Sequence, residues 1–542
     1  MKTILMKILI VFLAVVFTVL GFYQITMPTY SEMQIKNADF SLEKANEMLK
    51  VIAMEPHPSG SEQNEKVREY LVNYLRSLGM QVEVQKEAGI SEGMEYHLGN
   101  IIAKTSNTSK DGLNILLSAH YDSVATGPGA ADDGAGVAAL LEAARKISNS
   151  KSIKNNIYIL LTDGEELDLL GAKSFVKQNK SLSNNIDFVA NFEARGNRGP
   201  LVMFETSDNN LGILNAYKKF FDFPLGFSFS QDIYKNMPND TDFTVFKKEG
   251  ISGMNFAVLD GFDTYHTKND NVRNLNRQTL MEYGNTAISV VDYFGNISKK
   301  EFLNVKQEKS NAIYFPLLKG NLVVYSEELV MPLMVFTLIF FLAILLWGIR
   351  KKILDLLEML KGALIGFGVI IGLTVLSILA VLMIIQLHHL KVKGINVQFF
   401  SYENNYAMSI LAVVLLLICL IYQFFSKKLI LMNLAAGGLC VWTLLMVIGS
   451  IFLRGASYIF IVPLIFTMIA FAYYLLRGSA RITIAEKTII SAFVMIFTCL
   501  IIVPIIYMVY IAMGLGIVWI LVFLTLVPLI AQFPFYLQLT RD

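Results

Sequence analysis

Long apolar stretches in the C-terminal part of this 542-residue chain constrain its fold more than any other feature. The stretches are 329–349, 362–387, 406–425, 429–453, 458–476, 488–511 and 514–535. Each is close to the ~20 residues that an α-helix needs to cross the ~30 Å hydrocarbon core of a bilayer. We therefore predict a multi-pass membrane protein with about seven C-terminal helices, and the apolar content of 54% is typical of that class.

The basic residues between these stretches predict an orientation, because cytoplasmic loops carry an excess of Lys and Arg. Three alternate loops are basic, with Lys391, Lys393 and Arg454 as lesser exceptions elsewhere. The basic residues of those loops are Arg350, Lys351, Lys352 and Lys361, then Lys427 and Lys428, then Arg477, Arg481 and Lys487. Placing these loops in the cytoplasm puts the polar region before residue 329 outside it.

A further apolar run at 8–22 follows Lys2 and Lys7. A cleaved signal peptide, an uncleaved signal anchor and a core helix are the three interpretations. Gly21, Phe22 and Tyr23 close the run without a small-x-small cleavage site. We therefore predict that residues 1–28 form a cytoplasmic tip and a signal-anchor helix.

The region 29–300 has the pattern of an extracytoplasmic α/β domain. Amphipathic helices alternate with short runs such as 114–118, 156–161 and 188–192, which are almost continuously apolar, as in strands buried on both faces. This pattern predicts a mixed, largely parallel sheet flanked by helices. Residues 301–328 are predicted as a linker to an all-α membrane domain at 329–542.

Cysteine usage and charge exclude several classes of site. Cys419, Cys440 and Cys499 all lie in apolar stretches, so a metal bound by the region 29–300 must take its ligands from His and carboxylates. The formal net charge is +2 and there is no basic stripe, so no nucleic-acid partner is predicted.

Acidic and His residues stand at the ends of the predicted strands. His120 and Asp122 are two apart on a strand and share a face, so Asp122 can accept a hydrogen bond from a metal-binding His120. Asp132 lies in a glycine-rich loop that runs into a helix. Taken alone, His120 could be a structural His, and Asp132 could cap the helix, since carboxylates favour helix N-termini.

Two further acidic segments and one His segment complete the pattern. Glu165 and Glu166 form a turn after a buried strand, where one carboxylate can bind metal while its neighbour takes a proton from water. Glu193 closes another strand, and Tyr265 and His266 lie in a loop. Each segment alone is weak, because acidic turns and loop His residues are common on surfaces.

Together, in this order, the segments resemble the co-catalytic di-zinc exopeptidases, which include secreted aminopeptidases and glutamate carboxypeptidases. The segments 55–61 and 238–243 and the multi-spanning C-terminal region are most similar to the membrane-bound branch of the endoplasmic reticulum metallopeptidase and the fungal vacuolar membrane protease. The resemblance covers the whole polar domain.

The resemblance implies a site with two zinc ions per chain. Asp132 would bridge them, His120 and Glu193 would complete one zinc site, and Glu166 and His266 the other. Asp122 would orient His120, Glu165 would be the general base, and Tyr265 would hydrogen-bond the oxyanion. A cis peptide after Asp132 is also expected. Glu193 stands where many relatives have Asp, which is one methylene shorter.

The function expected from this resemblance is peptide hydrolysis, with aminopeptidase action first and carboxypeptidase or dipeptidase action open. A scaffold or transporter with an inactive peptidase-like domain and a single-zinc glutaminyl cyclase are the alternatives. Arg195 is expected in a structural ion pair, with a substrate carboxylate as the other possible partner. The Lys-, Asn- and Ile-rich composition favours a bacterial cell membrane, and a eukaryotic source would place the domain in an organelle lumen. The substrate sequence and the oligomeric state are not predicted.

Overall fold

The computed structural model describes residues 2–37, 39–105, 109–150, 153–234, 240–393, 396–397, 402–478 and 481–539. The chain divides into two compact units. One is Thr26–Ser326, and the other combines Met1–Ile25 with Glu327–Asp542.

The helices of both units follow one another along the chain from α1 to α19. They are α1 Lys2–Tyr23, α2 Glu32–Asn37, α3 Leu42–Ile52, α4 Glu62–Ser77, α5 Gly134–Asn149, α6 Leu170–Gln178, α7 Lys180–Ser183, α8 Leu211–Phe220, α9 Ser228–Tyr234, α10 Asp242–Lys248, α11 Arg277–Phe294, α12 Lys299–Gln307, α13 Val330–Arg350, α14 Leu356–Leu387, α15 Glu403–Ser426, α16 Leu431–Phe452, α17 Ser457–Arg477, α18 Ile484–Met513 and α19 Val518–Gln538.

The strands are β1 Gln81–Ser91, β2 Met94–Lys104, β3 Asn114–His120, β4 Asn156–Thr162, β5 Phe188–Ala194, β6 Arg198–Thr206, β7 Ser252–Asp260, β8 Ala312–Pro316, β9 Leu322–Ser326, β10 Val392–Lys393 and β11 Asn396–Val397. Among the described residues, β1 to β7 form one sheet in the order β1-β2-β4-β3-β5-β7-β6. The neighbours β4, β3, β5 and β7 are parallel, while β1, β2 and β6 pair antiparallel at the two edges.

The predicted mixed, largely parallel α/β sheet is confirmed. The runs predicted at 114–118, 156–161 and 188–192 are β3, β4 and β5, each one or two residues longer than predicted. Every residue of β4 and β5 is buried, as expected for strands covered on both faces.

Alternate residues of the central strands supply two apolar cores, one on each face of the sheet. Ile115 and Leu117 of β3 belong to the larger core, which includes residues of α3, α5 and α11. Leu116, between them, belongs to the smaller core with residues of α6 and α10. These layers hold the central strands rigidly, so the loops at their ends have fixed starting points.

The segment predicted as a linker, 301–328, differs from that expectation. It contains the end of α12 and the β8–β9 hairpin, which lies within the unit Thr26–Ser326. Ala312, Tyr314 and Leu322 are buried in the larger core. The apolar character of this segment therefore reflects packing against the domain.

The apolar unit has the helices expected of a membrane domain. Among the described residues, the stretches long and apolar enough to cross a membrane are Glu327–Arg350, Leu356–Leu387, Glu403–Ser426, Leu431–Phe452, Arg454–Arg477 and Ile484–Gln538. The last stretch contains α18 and α19 joined by a short 3-10 turn, and it covers two of the predicted spans. The predicted N-terminal anchor is α1, whose apolar part is Ile8–Tyr23.

Small residues allow close helix contacts in this unit, as is common in membranes. A Cβ at Gly437 of α16 would lie 2.3 Å from the backbone nitrogen of Ala363 in α14, so only glycine fits there. The helix α1 packs on α18, where Phe22 and Tyr507 meet edge to face at 4.3 Å between ring centroids. Gln24 Nε2 also donates a hydrogen bond to the carbonyl of Leu500.

Candidate metal centre

The acidic and His residues selected from the sequence converge at one edge of the sheet. His120 is the last residue of β3, and Glu193 is close to the end of β5. Glu165 and Glu166 follow β4, and His266 follows β7. Because these four strands are parallel, their carboxyl ends meet at the same edge, where open α/β sheets bind ligands.

Asp132 lies at the centre of this cluster. Its Oδ1 is 3.3 Å from His120 Nε2, and its Oδ2 is 3.2 Å from His266 Nε2. Glu193 Oε2 lies 3.7 Å from His120 Nε2, and Glu166 Oε1 lies 3.0 Å from His266 Nε2. Asp132 thus faces one His–Glu pair with each of its two oxygens.

These distances fit shared cations. Two donors bound to one tetrahedral zinc at ~2.0–2.1 Å lie roughly 3.3 Å apart. Ligand atoms within 4.8 Å of one another occur in three sets: His120, Asp132 and Glu193; Asp132, Glu166 and His266; and His120, Glu165 and Glu166. His and carboxylate donors are ligands that zinc accepts. The first two sets share Asp132, in the arrangement that the family resemblance implies.

The buried carboxylates of the cluster would also be stabilised by a bound positive charge. Burial, followed by the Glu193 carboxylate, raises the pKa of Glu165 well above its usual range, and burial raises the pKa of Glu193 in the same way. Burial disfavours the charged His120, but hydrogen bonds to Asp122 and Asp132 raise its pKa well above the ordinary value. A bound cation would stabilise the ionised carboxylates and relieve the cost of their burial.

The pKa of Asp132 shifts in the opposite direction to the pKa values of Glu165 and Glu193. Burial raises that pKa, but the hydrogen bonds from His120 and His266 lower it to about 2. Asp132 therefore stays ionised while the surrounding glutamates are pushed towards their neutral form. The contrast follows from the position of Asp132 between the rings of His120 and His266.

Asp122 connects two parts of the site. The Nδ1 of His120 lies 3.0 Å from the backbone carbonyl of Asp122 and 3.5 Å from its carboxylate Oδ1. The same carboxylate accepts hydrogen bonds from the backbone N–H groups of Glu165 and Glu166, at 3.1 and 3.3 Å. Asp122 thus fixes the ring of His120 and the turn that carries both glutamates.

The loop before α5 sets the position of Asp132. The peptide bond between Asp132 and Asp133 is cis, as predicted, and the Asp133 side chain caps α5. Gly129 has a φ of +67°, and a Cβ there would lie 2.6 Å from the Asp132 carbonyl. Glycine is therefore required where the loop folds back on Asp132.

Sequence reasoning missed Asp270, which supports the same loop. Its carboxylate accepts hydrogen bonds from the backbone N–H groups of Ala131 and Asp132, at 2.7 and 3.2 Å. Burial and then the charge of Asp132 raise the pKa of Asp270 to about 7. The one sequence signal for Asp270 is its position shortly after His266.

Asp163 and Asp242 were also missed. Asp163 accepts hydrogen bonds from Ser59 Oγ at 2.7 Å and from the Gly99 N–H at 2.8 Å, which anchor the start of the Glu165 turn. The Thr162 hydroxyl donates to Asp242, whose pKa is raised to about 6 by burial. Asp242 falls in the segment 238–243, of which Pro238 and Asn239 lie outside the described residues.

Tyr265 and His266 belong to a row of rings beside the cluster. Their ring centroids are 3.8 Å apart, and Tyr265 stacks on Phe262 at 5.6 Å. Burial, followed by the charges of Asp132 and Glu166, raises the pKa of Tyr265 well above its usual range, so its phenol stays protonated. His266 has a φ of 57°, a left-handed conformation that is costly for a non-glycine residue and recurs at functional sites.

Arg195 extends the row, and its surroundings differ from the ion pair expected. Its guanidinium carbon lies 4.9 Å from the centroid of the Phe262 ring. Its Nε is buried without a hydrogen-bond partner. Within the described part of the chain, no ion pair of Arg195 with a carboxylate is found, whereas Arg68, Arg145 and Arg198 each have one.

Known proteins resemble this chain in the same region. Residues 100–291 match Peptidase family M28. The vacuolar membrane protease of Schizosaccharomyces pombe is 30% identical over 305 residues, which cover 53% of this chain and 36% of that protein. The vacuolar membrane protease of Eremothecium gossypii is 30% identical over 330 residues, covering 56% of this chain and 31% of that protein. The chain therefore spans about a third of the length of these curated relatives.

Solved structures align with about half of the chain. An aminopeptidase from Aneurinibacillus sp. strain AM-1 aligns with a TM-score of 0.40 and 15% identity, over 48% of this chain and 95% of that one. Porphyromonas gingivalis glutaminyl cyclase aligns with a TM-score of 0.39 and 21% identity, over 47% of this chain and 98% of that one. The family match and the curated relatives confirm the predicted resemblance to co-catalytic zinc exopeptidases with a membrane-bound branch.

Proposed function

We propose that this chain, whose residues 100–291 match peptidase family M28, is a membrane-anchored zinc-dependent exopeptidase. The observation that carries the proposal is the position of Asp132, with one oxygen towards His120 and the other towards His266. Aminopeptidase action on peptides is the specific activity that we propose.

The site residues divide into binding and reacting groups. His120, Asp132 and Glu193 would hold one zinc ion, and Asp132, Glu166 and His266 a second. Bound zinc supplies a Lewis acid for the scissile carbonyl and lowers the pKa of water towards ~7. Asp122 keeps His120 and the Glu165–Glu166 turn in register through the contacts described above.

Glu165 is the proposed general base. Its carboxylate takes a proton from the attacking water and passes it to the nitrogen of the leaving amine. Glu165 is buried among other carboxylates and lies with His120 and Glu166 in one set of donor atoms. Burial and the neighbouring carboxylates favour the protonated form of Glu165, whereas a bound cation would favour its ionised form, so both forms needed for proton transfer are supported.

Tyr265 is the proposed donor to the oxyanion. Its phenol is protonated over the working pH range because its pKa is raised. Its ring is held between those of Phe262 and His266, so little ordering of the side chain is needed when the tetrahedral oxygen develops.

The membrane unit provides the proposed location. The long apolar helices make the chain an integral multi-pass membrane protein, anchored in a lipid bilayer. The alternating basic loops support a peptidase domain outside the cytoplasm, with the bacterial cell membrane as the proposed site. The organism decides between this location and an organelle lumen.

Hydrolysis of blocked peptides by the full chain in detergent tests this function. The substrates are a dipeptide with both ends free, one with its N-terminus acetylated and one with its C-terminus amidated. We expect chelator-sensitive hydrolysis that requires the free N-terminus. Hydrolysis that requires only the free C-terminus would replace aminopeptidase by carboxypeptidase action. Cyclisation of N-terminal glutamine without peptide hydrolysis would overturn the proposal.

A further inference from the structure

We propose that Arg195 binds a carboxylate of the substrate and thereby selects short peptides with a free carboxylate near the scissile bond. This inference rests on the proposed peptidase function and specifies its substrate class. Its starting point is a cation beside the candidate metal centre that lacks a carboxylate partner in the described part of the chain.

The backbone holds Arg195 in a defined position. Its N–H donates a hydrogen bond to the Val258 carbonyl at 2.9 Å, which continues the pairing of β5 with β7. Arg195 comes two residues after Glu193, in the bend that directly follows β5 at the edge of the sheet where the site residues lie. The side chain therefore starts from the edge of the sheet where the site residues converge.

The guanidinium lies against the aromatic row of the site. It is 4.9 Å from the Phe262 ring centroid, and that ring is 5.6 Å from the ring of Tyr265. The Tyr265 ring in turn is 3.8 Å from that of His266. Since an extended peptide advances ~3.4 Å per residue, the guanidinium is within reach of a substrate only a few residues long.

The lack of a carboxylate partner distinguishes Arg195 from Arg68 and Arg145, the other arginines of this domain that are not exposed. Arg145 lies 2.7 Å from Glu142, and Arg198 lies 3.3 Å from Asp260. Burying a charge without a partner costs free energy, so a buried arginine without a carboxylate partner needs another interaction to offset that cost. Phe262 offers a cation–π contact, but it leaves the planar fork of N–H donors free for a carboxylate.

The charges around Arg195 favour the same ligand. Its neighbours Phe262 and Tyr265 are aromatic and carry no formal negative charge, so they leave the guanidinium charge to be compensated by a ligand. Arg195 supplies positive charge beside them, and a bidentate carboxylate contact matches its geometry. The ligand chemistry is a carboxylate, which can be the α-carboxylate of a short peptide or an acidic side chain.

Kinetics with matched substrates test this assignment in the full-length protein. The substrates are leucyl-alanine, leucyl-alanine amide and leucyl-aspartic acid α-amide. We expect the wild type to prefer the free carboxylate by about 10-fold or more, the range of a hydrogen bond to a charged group. Arg195→Met should raise KM for leucyl-alanine by about the same factor while changing kcat and KM for the amide less than about 2-fold. The KM of Arg195→Lys for leucyl-alanine should lie between those of the wild type and Arg195→Met.

The controls separate recognition from structure. Arg198→Met removes a nearby half-exposed charge and should leave the preference unchanged. Thermal melting shows whether Arg195→Met folds. An equal loss on leucyl-alanine and on its amide would make Arg195 structural and overturn the proposal. A preference confined to leucyl-aspartic acid α-amide and lost in Arg195→Met would assign the carboxylate to a side chain.

A binding measurement keeps this test independent of the proposed reaction. Calorimetry on Glu165→Gln compares leucyl-alanine with its amide, with and without Arg195→Met. A preference for the free carboxylate that requires Arg195 supports the binding of that carboxylate by Arg195, even if no peptide is hydrolysed by the wild type. Equal binding of leucyl-alanine and its amide would overturn the proposed role of Arg195, whatever the hydrolysis assays show.

Discussion

Two buried polar sites, one in each unit of this protein, differ in how their polar groups are satisfied. In the unit Thr26–Ser326, carboxylates gather at one sheet edge, and burial raises the pKa of Glu165 and Glu193 strongly. In the apolar unit, the buried amide of Gln532 donates to Thr467 at 2.9 Å and to Thr498 at 2.8 Å, and accepts from Tyr536 at 3.1 Å. The carboxylate cluster would be stabilised by a bound cation, whereas the Gln532 amide makes its hydrogen bonds within the protein.

This difference separates sites for chemistry from sites for packing. A polar group whose hydrogen bonds are all made within the protein holds helices together and has little left to offer a ligand. Buried like charges without enough counter-charge destabilise the fold until something binds. Changes at the sheet edge should therefore alter activity and ligand-linked stability, and changes at Gln532 should alter packing only.

Removing the proposed base should produce the largest effect. Glu165→Gln should lower kcat by about 10²–10⁴-fold, because it removes proton transfer while leaving a similar shape. Zinc content and melting temperature should stay close to wild type. The matched change Glu166→Gln should instead reduce zinc affinity. Near-normal turnover in Glu165→Gln would show that another group is the base.

Metal removal should produce the next effect, on stability. A ligand present at a thousand times its Kd stabilises the folded state by ~4 kcal/mol, so chelation should lower the melting temperature of the full chain by several degrees. Without chelator, His120→Ala should already have the lower melting temperature, and chelator should change it little. A chelator response that is the same in His120→Ala and in the wild type would remove His120 from the metal site.

A buried carboxylate away from the cluster predicts a pH effect. Burial raises the pKa of Glu282 from 4.5 to about 7, although Tyr30 donates a hydrogen bond to it. The folded state then holds a proton that the unfolded state releases, so stability is full below pH ~4.5 and falls as the pH rises to ~7. At 1.36 kcal/mol per pKa unit the loss is ~3 kcal/mol.

Glu282→Gln tests this pH effect, because glutamine stays neutral. Melting temperatures of the wild type, measured between pH 5 and 8 in the presence of chelator, should fall by roughly 5–10 °C more than those of the variant. The exposed Glu301→Gln is the matched control and should follow the wild type. Parallel profiles for the wild type and Glu282→Gln would mean that Glu282 is ionised in the folded state.

The membrane unit should give the smallest effect. Gln532→Leu removes hydrogen bonds that average ~0.6 kcal/mol in membrane proteins, so a small drop in detergent stability is expected. Peptide hydrolysis and zinc content should be unchanged. A loss of zinc or of activity in a variant that melts normally would break the separation between the two units.

The central strands could be predicted from the sequence because β3, β4 and β5 are apolar on both faces and end at or next to a His or carboxylate residue. Once these strands are parallel, the meeting of His120, Glu166 and Glu193 at one edge follows from topology. The roles of those residues as ligands remain proposals. The prediction of a cis bond after Asp132 came from the family resemblance.

Long-range contacts could not be predicted in the same way. Asp270 reaches the backbone of Ala131 and Asp132 from a distant loop, and no local pattern marks that contact. The hairpin β8–β9 has short strands that resemble a linker in sequence, and the burial of its Tyr314 is evident only in the folded domain. The unpaired state of Arg195 is likewise a property of its surroundings.

The proposed metal centre is tested most directly by the zinc content of the purified full-length protein, measured by elemental analysis beside His120→Ala and His266→Ala. We expect two zinc ions per wild-type chain and a loss of zinc in each variant. A wild-type protein that binds no zinc when the ion is supplied in excess, or whose zinc content is unaffected by both substitutions, would contradict the assignment of this cluster as a zinc site.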